Sequence, residues 1–156
     1  MIKDESRVDE LLQILDTLAR AKIEIGIIGE ERHSDKSDIT VLAIARIHEF
    51  GVTVTDKNGR NMNIPQRPFI RGTVDNRQPD INEQVEKILV QIVERDIPVM
   101  AGLEALGLML EGITKDYLTD LKIPELKAET IRRKGSSNPL IDTGKLRDSI
   151  THRVVV

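Results

Sequence analysis

The sequence contains no cysteine and no tryptophan. Without thiols there is no disulfide, no cysteine-ligated zinc and no thiol nucleophile. Aromatic residues are scarce as well: Phe50, Phe69 and Tyr117 are the whole set. A core must therefore be built from Leu, Ile and Val, which predicts a modest core that gains from burial against a partner. A basic surplus is also missing. The formal net charge is −3, whereas a free-standing DNA binder neutralises phosphates with excess Lys and Arg. A mildly acidic chain can sit beside DNA without gripping it. No apolar run approaches the roughly 18 residues of a membrane span. The opening MIKDESRVDE has no basic stretch followed by an apolar one, so it does not read as a secretory signal. These absences predict a protein made and used in a cytosol, or packaged from one.

The 156 residues are 31% charged and 39% hydrophobic, which suits a soluble globular fold of one domain, residues 1–156. Val8, Leu11, Leu12, Leu15 and Leu18 recur at helical spacing and predict a first helix from about Glu5 to Ala21. Ile23, Ile25 and Ile27 alternate, which predicts a strand over Lys22 to Ile28. The polar stretch Gly29 to Asp38 reads as an exposed loop, with Asp38 capping a second helix that Gly51 ends. Val52–Thr55 and Asn61–Ile64 flank Lys57-Asn58-Gly59, the signature of a β-hairpin. Pro65 and Pro68 predict an extended approach to a short segment at Phe69 and Ile70.

Pro79 and Asp80 read as the start of a further helix with the stripe Ile81, Val85, Ile88, Leu89 and Ile92. Pro98 to about Leu121 reads as the longest helix, its face formed by Val99, Leu103, Leu106, Leu110, Ile113 and Tyr117. Gly102, Gly107 and Gly112 lie inside it, each costing about 1 kcal/mol relative to Ala. Close helix approach and tolerated imperfection explain them equally well. After Pro124, a short helix carries Leu126 and Ile131, and Gly135 to Asn138 forms a link. Asp142 is positioned to cap a final helix, with Ile141 and Leu146 as its hydrophobic staple. ITHRVVV then favours a terminal strand. The predicted fold is α+β: a small antiparallel sheet with a β-hairpin, flanked by several helices including one long helix.

Motifs for chemistry are weak. Gly26 and Gly29 lack the further glycines and Lys-Ser/Thr pair of a phosphate loop. His33, His48 and His152 are far apart, with no helical metal spacing. No G-x-S-x-G elbow occurs. No catalytic, cofactor-binding or metal-binding residue is therefore assigned, and no enzyme is expected. Arg132, Arg133 and Lys134 form a compact basic run at a helix end, where cations complement the dipole. Its alternative use is contact with DNA or an acidic partner, which would make the chain a nucleic-acid-binding module.

Three blocks stand out in order: HEFG at His48, Glu49, Phe50 and Gly51; IPQRPFI from Ile64 to Ile70; and PLIDTGKLRDSI from Pro139 to Ile150. Together they resemble the neck or tail-completion (head–tail connector) proteins of tailed phages and the related Mu-like virion morphogenesis proteins. The resemblance spans about Lys22 to Val156. It implies a non-enzymatic homo-oligomeric ring in the virion, at the head–tail junction, assembled in the bacterial host cytoplasm. Its implied partners are itself, neighbouring head-completion and tail proteins, and DNA that passes through without sequence-specific binding. No cofactor and no membrane are implied. A tail terminator or minor tail protein of the same fold is the alternative.

The resemblance also implies structural roles. Gly51 redirects the chain, and in the motif that begins at Ile64, Pro65 and Pro68 fix a stiff turn that seats Phe69 on the sheet or a helix. Arg67 reaches a carboxylate, with Glu49 the candidate. Asp142 caps the last helix, in the motif it shares with Thr143 and Gly144, and the spacing puts Leu146 and Ile150 on one face of it. The loop Gly29 to Asp38 and the hairpin tip Asn58-Gly59 are the candidates for lining a channel.

Overall fold

The computed structural model describes residues 2–29, 39–55, 57–126, 128–135, 140 and 144–156. The loop residues 30–38 with His33 and the expected cap Asp38, the segment 136–139, and Ile141, Asp142 and Thr143 lie outside the described residues.

The fold is α+β. Its elements in order are α1 (Ile2–Arg20), β1 (Lys22–Ile27), α2 (Val41–Phe50), β2 (Val52–Thr55), β3 (Asn61–Ile64), α3 (Phe69–Val93), α4 (Val99–Asp120), α5 (Ala128–Lys134), α6 (Lys145–Asp148) and β4 (Ile150–Val155). Strands β1 and β4 pair antiparallel, with Ile25 opposite His152 and Ile27 opposite Ile150. The terminal strand is thus paired within its own chain. Glu24 and Arg153 face each other across this pair and form a salt bridge, with Nε 2.8 Å from the carboxylate.

Strands β2 and β3 form a second, separate two-stranded sheet. Its turn contains Gly59 at φ 76°, the positive angle that the Asn-Gly pair was expected to supply. Among the described residues the hairpin stands apart from the β1–β4 sheet.

Helix α4 packs against both β1 and β4 and, on another side, against α3. The core joins Val41 and Ala45 of α2, Phe69 of α3, Leu118 of α4, Leu140, Leu146 of α6 and Ile150 of β4. Ile25 and Ile27 pack on it from the sheet. Leu103 and Leu106 are buried as their spacing implied, but the lower end of α4 buries Thr114 and Leu118, and Tyr117 is only half-buried. Helix α3 on one side and the β1–β4 pair on another both cover α4, so its buried face is wider than one stripe.

The three glycines of α4 separate by surroundings. A Cβ on Gly102 would meet Ile92 Cγ1 of α3 at 2.7 Å, and one on Gly107 would meet the His152 ring of β4, with Nε2 at 2.8 Å. Close approach accounts for both. Gly112 has nothing within 4 Å of that position and is the tolerated imperfection.

Three expectations need correction. Helix α2 is capped by Thr40, whose hydroxyl accepts from Ala43 N at 3.1 Å, so the cap is not Asp38. Helix α3 does not open at Pro79. It opens at Phe69 and runs through Pro79 to Val93, a second long helix. Pro79 and Asp75 are both exposed, so water reaches the carbonyl that proline cannot bond. Helix α6 begins at Lys145 with Gly144 at its cap, φ 80°, and lasts one turn. Leu146 is therefore its second residue, two positions short of the expected staple position.

Candidate assembly site

The site begins at the end of α2. Gly51 stops that helix at φ 70°, with its N–H donating to Ile47 O at 2.8 Å. A Cβ there would stand 2.9 Å from Gln66 N and 3.0 Å from Ile64 O, so only glycine lets the hairpin base fold back this closely. The returning strand is fastened at once: Arg67 N donates to His48 O at 2.6 Å. The first two motifs are thereby placed side by side.

Glu49 is the centre of the junction. It is 5% exposed, and its carboxylate faces the first turn of α3. Ile70 N donates to Oε2 at 3.1 Å and Arg71 N to Oε1 at 3.1 Å. These amides belong to the unbonded start of a helix, and Pro68 at the cap has no side-chain hydrogen bond to offer them. Glu49 thus caps α3 from another helix, and its negative charge meets the positive end of the dipole. Arg71 completes the pair. Its Nε donates to Oε1 at 2.9 Å, its Nη2 donates to Glu49 O at 2.6 Å, and its guanidinium lies 4.9 Å from the Phe50 ring centroid.

Arg67 does not reach Glu49, as the resemblance suggested. Its Nε donates to Pro124 O at 2.9 Å and its Nη2 to Glu125 O at 3.4 Å, tying the segment after α4 to the junction. Burial disfavours the charged guanidinium and lowers its pKa. The two carbonyls offset part of that cost.

The third motif arrives through packing. Phe69 is 0% exposed and shares its cluster with Leu146 and Ile150. Pro65 and Pro68 are half-buried beside it in sequence, and Gly144 opens the turn that delivers Leu146. HEFG, IPQRPFI and the described part of the third block therefore converge on one junction. No family model matches the chain, and no curated protein or solved structure is found to be similar to it. The likeness to phage neck proteins rests on the three motifs alone.

A second polar cluster went unread in the sequence. His152 of β4 lies on Gly107 between two carboxylates of α4, with Glu111 2.8 Å from Nδ1 and Glu104 3.2 Å from Nε2. Lys115 donates to Glu111 at 2.6 Å. The only available signal was Glu111 and Lys115 at helical spacing. Among the described residues, no group of three or more His, Cys, Asp or Glu is arranged to hold a metal ion. Nor is any helix there long and apolar enough to cross a membrane.

The hydrogen bond to Glu111 raises the His152 pKa against the opposing effect of burial, and bonds from Lys115 and His152 lower that of Glu111. A raised histidine pKa adds stability that is full below the unfolded value of about 6.5. That stability disappears as pH climbs through the higher folded value. The depressed Glu111 pKa adds stability that is lost at the acid end, as pH falls through its folded value. Urea midpoints should accordingly decline from pH 6 to pH 8.5, and the decline should be absent in His152→Gln. Equal slopes in both proteins would show that His152 is not the titrating group.

Proposed function

We propose that this chain is a structural virion protein of a tailed phage, forming a ring at the head–tail junction with a central passage for DNA. The observation that supports it best is the convergence of the three motifs on the Glu49–Phe69 junction. In this reading the shared residues hold a scaffold shape and perform no chemistry. Gly51, Glu49 and Arg67 fix how the hairpin, α3 and the segment after α4 leave one point. Such a part works by geometry, offering faces to copies of itself and to neighbouring head and tail proteins. The net charge of −3 also suits a lumen through which DNA slides, since a basic lining would hold it.

Electron microscopy of particles made without this protein provides the test. DNA-filled heads accompanied by separate, finished tails are expected. Intact, normal virions would overturn the proposal.

A further inference from the structure

The hairpin has two unlike faces. Val52 pairs with Ile64 and Val54 with Met62, so these four share one side of the β2–β3 ribbon. The other side carries Thr53 with Asn63 and Thr55 with Asn61, each threonine donating to its asparagine. Val52 and Ile64 at the base are half-buried, but Val54 is 42% exposed and Met62 56%. A two-stranded ribbon alone is marginal in water and needs a surface for its apolar face.

A matching surface lies on α3. Its C-terminal half lines an open groove of about 530 Å³ with Val85, Leu89, Val90 and Val93. Val90 is 48% exposed and Val93 40%. The groove carries Glu86 and Glu94 at its sides. The turn between the strands, DKNGR, has one acid and two bases, with Lys57 exposed near the tip. Apolar face meets apolar groove, and the basic tip meets acidic sides.

The ribbon does not reach the groove of its own chain. None of its described residues lines that groove, and Val54 and Met62 stay exposed. The match of apolar faces and of a basic tip with acidic sides makes a second copy of the chain the occupant. We infer that the β2–β3 hairpin of one copy seats Val54 and Met62 in the α3 groove of the next. The two patches differ, so the contact is head-to-tail, which closes into a ring where the rotation between copies allows it. This deepens the assembly reading and rests on its premise that copies of the chain meet.

Disulfide trapping tests it on the full chain. Because the sequence has no cysteine, each introduced thiol is unique. Val54→Cys and Val90→Cys replace exposed residues, and the folded state of each is checked by circular dichroism. Mixed under a mild oxidant, the two should form a covalent pair about tenfold faster than either alone. Thr55→Cys, on the polar face, should pair with Val90→Cys no faster than background. Lys57→Glu should slow the productive pair about fivefold, with recovery when Glu86→Lys and Glu94→Lys are added to the other partner. The inference is overturned if Val90→Cys links to itself as fast, if Thr55→Cys links as well as Val54→Cys, or if no pair is trapped. Trapped pairs alongside normal virions would keep this contact and remove the phage role. Split heads and tails without trapped pairs would do the reverse.

Discussion

Glu49→Ala is expected to lower stability by about 3 kcal/mol, read as a fall in the urea midpoint with an unchanged slope. The figure follows from what the carboxylate holds. Two amides of the first turn of α3, Ile70 N and Arg71 N, lose their acceptor at a site where Glu49 is 5% exposed. An unsatisfied buried donor costs about 1–3 kcal/mol. The Arg71 side chain is 51% exposed, so its charge regains water and adds little to the loss.

Glu49→Gln separates charge from shape. Its single carbonyl oxygen can serve one amide, while its NH2 points a donor at the other. About 2 kcal/mol of loss should remain. Hydrogen exchange at Ile70 and Arg71 should rise in both variants. A loss below about 0.5 kcal/mol, the range of a surface substitution, would show that the carboxylate does not hold α3.

The same residue explains where sequence reading stopped. The hairpin was legible because Asn58-Gly59 and the flanking alternation are local signals. So were β1, from period two, β4, from the strand preference of its β-branched residues, and α4, from its long apolar repeat. The start of α3 was not. RGTVDNRQ, from Arg71 to Gln78, has little apolar periodicity, and the cap of the helix lies 21 residues upstream of Ile70 on another helix. Two prolines before Phe69 and one at position 79 then outweighed it locally. Tertiary packing of Phe69 and the carboxylate of Glu49 reversed that balance.

The site was half legible for a related reason. Motif residues His48 to Gly51 and Ile64 to Phe69 were picked out, and the structure brings them together. Their partners were misassigned. Arg67 bonds the backbone carbonyls of Pro124 and Glu125, and carbonyls carry no sequence signature. Arg71, the true partner of Glu49, stands one residue beyond the motif. His152 meets carboxylates 41 and 48 residues away, a pairing that only the register of β4 on α4 creates.

The same register makes two identical substitutions on one helix act with opposite sign. Gly107→Ala is expected to destabilise the chain by about 2 kcal/mol, and Gly112→Ala to stabilise it by about 1 kcal/mol. In both, alanine improves intrinsic helix propensity by about 1 kcal/mol. At Gly112 nothing lies within 4 Å of the new methyl, so that gain stands. At Gly107 the methyl would fall against the His152 ring, 2.9 Å from Cγ and 2.8 Å from Nε2. The ring has no easy retreat. Glu111 and Glu104 hold its two nitrogens, and the pairing of His152 with Ile25 fixes its backbone. Relief requires breaking those bonds or lifting β4 from α4, the strain that overpacking a fitted contact costs. A double-mutant cycle identifies the cause. In a His152→Ala background the ring is gone, so Gly107→Ala should turn neutral or mildly stabilising. If it remains as damaging there, the strain lies elsewhere in the helix. If Gly107→Ala alone is as benign as Gly112→Ala, then β4 does not lie on α4 at this register.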